Sequence, residues 1–152
     1  MSIESKLKSL GIALPSVPGP FGAYVPAKRG GGLVFVAGQL PMKEGKLLVN
    51  GPVPSRCSID DAKAAARQCV INALAAVSAL PGGLDQLVGV ARVGAFVSSD
   101  VGFSQQPAVA NGASELLIEI FGDAGKHARA AIGTNVLPLD TAVEVEFIFD
   151  AR

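Results

Sequence analysis

A chain of 152 residues, 49% hydrophobic and only 17% charged, lies far from the charge-rich disordered class and has the length of one domain, taken as residues 1–152. Its 13 basic and 13 acidic residues cancel, and it has one Tyr and no Trp. That leaves neither a global positive field nor a set of aromatic platforms for a nucleic acid. So few charges on so apolar a chain also point to surface covered by other subunits.

Ser2 to Ser9 reads as a short helix, with Ile3, Leu7 and Leu10 at spacings of three and four. The proline-rich run from Leu14 to Pro20 is an extended connector. Two strands follow, Ala23 to Ala27 and Leu33 to Ala37, joined by a turn at Arg29 to Gly32. The run Leu33-Val34-Phe35-Val36 suits a strand covered on both faces. Lys43-Glu44-Gly45-Lys46 resembles a hairpin turn leading into Leu47 to Val49. Ser58 caps the clearest helix, whose apolar stripe holds the helical period from Ile59 to Val77 until Pro81-Gly82-Gly83 breaks it.

Strand character returns from Val88 to Val97, and a second helix runs from Pro107 to Phe121, closed by Gly122 to Gly125. Final strands are expected at Ala128 to Thr134 and Ala142 to Phe149, the last with Glu144, Glu146 and Ile148 on one side. The fold class is therefore α+β. Two main helices are too few to cover both faces of the sheet, so one face meets solvent or a partner subunit. The N-terminal run carries Glu4, Lys6 and Lys8 rather than an apolar core, and no stretch is apolar enough to cross a bilayer. The cytoplasm is the expected compartment.

With His127 the only histidine, and Cys57 and Cys69 lacking ligand spacing, no metal site is expected. Phosphate-loop and nucleophile-elbow motifs are missing as well. What remains is polar residues inside apolar strands. Arg129, within Ala128-Arg129-Ala130-Ala131-Ile132, has little expected solvent and needs an anion, either a structural carboxylate or a substrate carboxylate gripped by its fork. Glu144 and Glu146 form either a solvated face or, near Arg129, a carboxylate able to orient a water. Asn111, early in the second helix, is an ordinary helix residue or one whose amide has a task. Arg92 and Arg67 read as pairing or surface groups.

These residues also carry a resemblance. Ala128-Arg129, Leu137-Pro138 and Val143-Glu144-Val145-Glu146, preceded by Gly19-Pro20-Phe21, the run from Val34 to Pro41, and Arg92 to Val97 followed by Asn111, are similar in order to the RidA/YjgF/UK114 family. The resemblance implies a chorismate-mutase-like fold, a mixed sheet with two helices on one face, assembled as homotrimers with ligand clefts between subunits. It implies cofactor-independent deamination of 2-imino or enamine acids to 2-oxo acids and ammonia, with no cofactor and no metal. The partner is then a small carboxylate-bearing imine or 2-oxo acid. Arg129 would bind the carboxylate and Glu144 would position water. Asn111, Phe21, Ala37, Gly38 and Ala131 would line the substrate site. Phe21 stands where many members have tyrosine, Ala37 where serine is frequent, and Ala131 where some have cysteine. Residues 1–18 form an N-terminal extension of a longer, divergent branch.

Two other readings compete. A non-catalytic carboxylate-binding or sensor protein predicts saturable binding through Arg129 without turnover. An endoribonuclease or translation inhibitor, labels some relatives carry, is disfavoured by the balanced charge and missing platforms.

Overall fold

The computed structural model describes residues 1–19 and 22–152. Helix α1 (Ile3–Ser9) starts where the Ser2 hydroxyl accepts the Ser5 N–H at 3.1 Å, and Leu7 anchors it to the core. Strand β1 (Ala27–Gly30) hairpins with β2 (Leu33–Gln39). The strand expected over Ala23 to Ala27 therefore lies further along. Pro26 cannot donate to a ladder, whereas Lys28 and Arg29 can. The left-handed turn needed between the strands is provided by Gly31, at φ 61°.

Strands β3 (Met42–Lys43) and β4 (Lys46–Leu47) make a small separate hairpin. Its two turn residues, Glu44 and Gly45, both have positive φ, as the tightest hairpins require. The strand expected over Leu47 to Val49 stops at Leu47: the Leu48 N–H still donates to the Pro41 carbonyl, but Pro41 has no N–H to return the bond.

Helix α2 (Ile59–Ser78) is capped by Ser58, which accepts the Asp61 N–H at 3.0 Å. Strand β5 (Leu87–Ser98) leads to α3 (Gln106–Phe121), a 3₁₀ turn at Gly122–Gly125, β6 (Ala128–Thr134) and β7 (Val143–Ala151). The last strand continues two residues past the expected end at Phe149.

The five-stranded sheet has the order β1-β2-β7-β5-β6. Only β5 and β6 run parallel, and a parallel neighbour needs a crossover, which α3 provides. Both α2 and α3 pack on one face. The inward row, including Val34, Val93, Val97, Val143, Val145, Phe147 and Phe149, is buried beneath them. Among the described residues no helix is long and apolar enough to cross a membrane.

The opposite face carries no helix. Register places Phe35, Ile148 and Arg92 in one row across β2, β7 and β5, and Glu144, Phe96 and Ile132 in another across β7, β5 and β6. Here the expectation of a strand covered on both sides fails for the single chain: Phe35 is 45% and Ile132 49% exposed.

The helices approach closely where Gly112 of α3 meets the Lys63 carbonyl of α2, so that a β-carbon at position 112 would overlap that oxygen. Gly112→Ala is expected to cost about 1–3 kcal/mol, as overpacking does. A lowered urea midpoint with an unchanged slope would show it.

Candidate active site

Arg129 registers with Val93, which is fully buried beneath the helices, and so stands on the α3 side of β6. The low solvent access expected for it is not found: Arg129 is exposed. The apolar run around it reads as core, but β6 ends the sheet and has a neighbour on one side only.

Arg129 Nη1 donates to Asn111 Oδ1 at 2.8 Å and to Ser114 Oγ at 3.1 Å. Asn111 and Ser114 are three residues apart and share a face of α3. Ser114 Oγ in turn lies 2.9 Å from His127 Nε2, and His127 Nδ1 lies 2.7 Å from the Gly125 carbonyl. A carbonyl only accepts, so Nδ1 carries the proton. In the neutral ring Nε2 then accepts the Ser114 O–H, and a Ser114 lone pair is turned to Arg129.

No carboxylate completes this set. Among the described residues Arg129 makes no ion pair, and Nε and Nη2, the two nitrogens of its side-on fork, make no hydrogen bond. Neutral acceptors hold the guanidinium in place without cancelling its charge.

Glu144 lies on the other face of the sheet, registered with Phe96 on the central strands. Its carboxyl rests against Gly38, where a β-carbon would overlap Oε1, so a side chain at 38 would displace the carboxyl from this position. Burial, and then the nearby charge of Glu146, raise the Glu144 pKa above the ordinary carboxylate range. Glu146 differs, since Arg92 pairs with it at 2.9 Å. Among the described residues Glu144 has no hydrogen-bond or ion-pair partner. Two glutamates on one strand thus have different environments: Glu146 has a cationic partner, and Glu144 is partly buried without one.

The expected residues therefore fall into two groups. Arg129, Asn111 and, two positions along the same strand face, the half-buried Ala131 form one. Glu144, Gly38 and Ala37 form the other. Within one chain they occupy opposite faces of the sheet.

Phe21 lies outside the described residues. Three positions on, however, Tyr24 lines two cavities that also include Ala37, so a phenol is present in this region after all. Ser114 and His127 were not singled out from sequence either. Their signal was the spacing: Ser114 follows Asn111 by three on a helix, and His127 precedes Arg129 by two beside a strand. Cys57 and Cys69 are free and buried. Burial, reinforced by Glu144, pushes the Cys69 thiol far up, so it is inert.

Residues 4–151 match the family described as "YjgF/chorismate_mutase-like, putative endoribonuclease". Protein TCP17 of Trypanosoma cruzi is 35% identical over 149 residues, covering 97% of this chain and 93% of that protein. Among solved structures, protein Atu1372 of unknown function from Agrobacterium tumefaciens is 40% identical with a TM-score of 0.90, over 99% of this chain and 92% of that one. A structure from Shewanella oneidensis, described as a "putative endoribonuclease", is 31% identical with a TM-score of 0.92, over 99% of both chains.

Proposed function

We propose that this chain, which belongs to the YjgF/chorismate_mutase-like family, is a cytoplasmic, cofactor-independent hydrolase that deaminates 2-imino or enamine acids at clefts shared between copies. The observation that carries the reading is the Arg129 fork: a fixed, charged guanidinium whose Nε and Nη2 are left to a ligand. A carboxylate fits that fork with two parallel hydrogen bonds.

The chemistry asks little more than placement. The carbon of a protonated imine is already electrophilic, so fixing it and aiming a water at it removes most of the entropic barrier. Arg129 holds the carboxylate. Glu144 accepts a proton from water as the water oxygen bonds to the imine carbon, giving a carbinolamine. That proton passes to nitrogen, and the C–N bond breaks as the carbinolamine hydroxyl gives its own proton back to Glu144, so that ammonia leaves a 2-oxo acid. A carboxylate whose pKa is raised above the ordinary range is a stronger base for this step than an ordinary one.

Arg129 and Glu144 stand on opposite faces of one sheet, so a cleft using both takes one residue from each of two chains. The exposed apolar residues of the helix-free face, Phe35 and Ile132, support an assembly that buries this face. The family resemblance supports a trimer as that assembly.

Ammonia release from imino acid freshly generated by an amino-acid oxidase tests the activity. Saturable binding of 2-oxo acids with no turnover would instead favour a sensor. Ser114 is a positioning residue for Arg129 in this scheme. Ser114→Ala is expected to raise KM about three- to tenfold, the loss of one hydrogen bond to a charged group, with kcat nearly unchanged. Steady-state kinetics separates the two parameters.

A further inference from the structure

We propose that the imino acids taken by this site carry a large, uncharged apolar side chain, seated in the cavity beside Gly38; the inference rests on the deaminase reading above. The cavity has a volume of ≈ 550 Å³, within the range of sites that enclose whole small molecules. A hydrogen or a methyl group would leave most of it unfilled.

Its position ties it to the chemistry. Ala37 and Gly38 form part of its wall, and the Glu144 carboxyl rests against Gly38. Gly38 is therefore common to the cavity and to the Glu144 group, so a substituent on a substrate carbon beside Glu144 that is long enough to pass Gly38 reaches the cavity.

The wall is apolar. Val17 and Pro18 of the N-terminal connector, Leu40, Met42 and Ala76 of α2 line it. Prolines on the connector fix its backbone, so this wall costs little ordering on binding. Two of the polar side chains in the lining, Asn72 and Gln39, are already engaged. Asn72 Nδ2 donates to the Leu40 and Met42 carbonyls at 3.0 Å each, its Oδ1 accepts from Gln68 at 3.0 Å, and Gln39 Nε2 donates to the Ala37 carbonyl at 2.9 Å. A polar side chain entering here would lose water and find few partners. At the rim stands the exposed carboxylate of Glu44, which repels an acidic side chain.

The test compares imines generated from alanine, leucine and glutamate, with calorimetry of pyruvate, 4-methyl-2-oxopentanoate and 2-oxoglutarate beside it. The leucine-derived imine is expected to have a kcat/KM at least about tenfold above the alanine-derived one, with the glutamate-derived one lowest, as methylene-sized differences in an apolar pocket produce. Equal rates, or alanine foremost, would overturn the inference and leave the deaminase reading standing.

If no imine releases ammonia, the deaminase reading falls and binding alone decides this inference. Affinity for 4-methyl-2-oxopentanoate about tenfold above pyruvate supports the cavity assignment; no difference, or no binding, overturns it. Val17→Trp, a substitution in the connector rather than the core, is expected to fill the cavity and bring the leucine and alanine probes within about twofold of each other. An unchanged preference in that variant would also overturn the placement.

Discussion

Replacing Arg129 with alanine is expected to lower kcat/KM for ammonia release by about 10²–10³-fold while the folded chain and its assembly persist. The size follows from removing a charged, bidentate partner of a desolvated carboxylate, a loss of about 3–4 kcal/mol. Persistence of the fold follows from position. Arg129 is exposed on an edge strand, and its protein partners are the neutral Asn111 and Ser114. Removing it strands no buried charge. Arg129→Lys is expected to recover little, because an ammonium offers a point charge where the site holds out a planar fork. Paired kinetics and thermal melts check both statements; a large fall in Tm would give Arg129 a structural role instead.

Glu144→Gln is expected to lower kcat by about 10²–10³-fold with KM nearly constant, the usual worth of a positioned general base. Its stability effect has the opposite sign. Burial and Glu146 raise the Glu144 pKa in the folded protein, so the folded state holds that proton more tightly than the unfolded chain. Stability from this group is fully present below the unfolded pKa and is lost as pH rises through the folded one. At neutral pH the wild type therefore carries a charge it would fold better without. Glutamine relieves it, so the variant is expected to melt at or slightly above the wild type at pH 7, with the advantage gone in acid. For the wild-type enzyme the same shift sets the acid limb of kcat above the ordinary carboxylate range, since the working form is the carboxylate. A pH–rate profile with a limb in the ordinary range would remove Glu144 from this role.

The sequence carried the elements well where local chemistry acts alone. Ser58 and the stripe from Ile59 to Val77 announce α2, and the alternation Val143, Val145, Phe147 and Phe149 announces β7, because capping and periodicity need no tertiary partner. Positions failed where pairing decides. β1 lies beyond Pro26 because its hairpin with β2 selects Ala27–Gly30, and β4 ends early because Pro41, opposite Leu48, has no N–H to give.

Arg129 shows the same limit at the site. Its apolar neighbours suggested a solvent-poor arginine, but hydropathy does not report whether a strand is central or at the edge. Nor does it show that alternation and strand order together put Arg129 and Glu144 on opposite faces. Ser114 and His127 were invisible for a related reason: their link to Arg129 runs from α3 through a ring to a carbonyl in the following turn. Only the fold closes that path.

A mixing experiment tests the shared cleft most directly. Arg129→Ala and Glu144→Gln chains, each inactive alone, are combined and allowed to reassemble. If each site takes its arginine from one chain and its glutamate from another, random mixing at equal amounts rebuilds about a quarter of the sites, and ammonia release should return to about that fraction of wild type. Mixed assemblies no more active than either parent would contradict a site built from two chains.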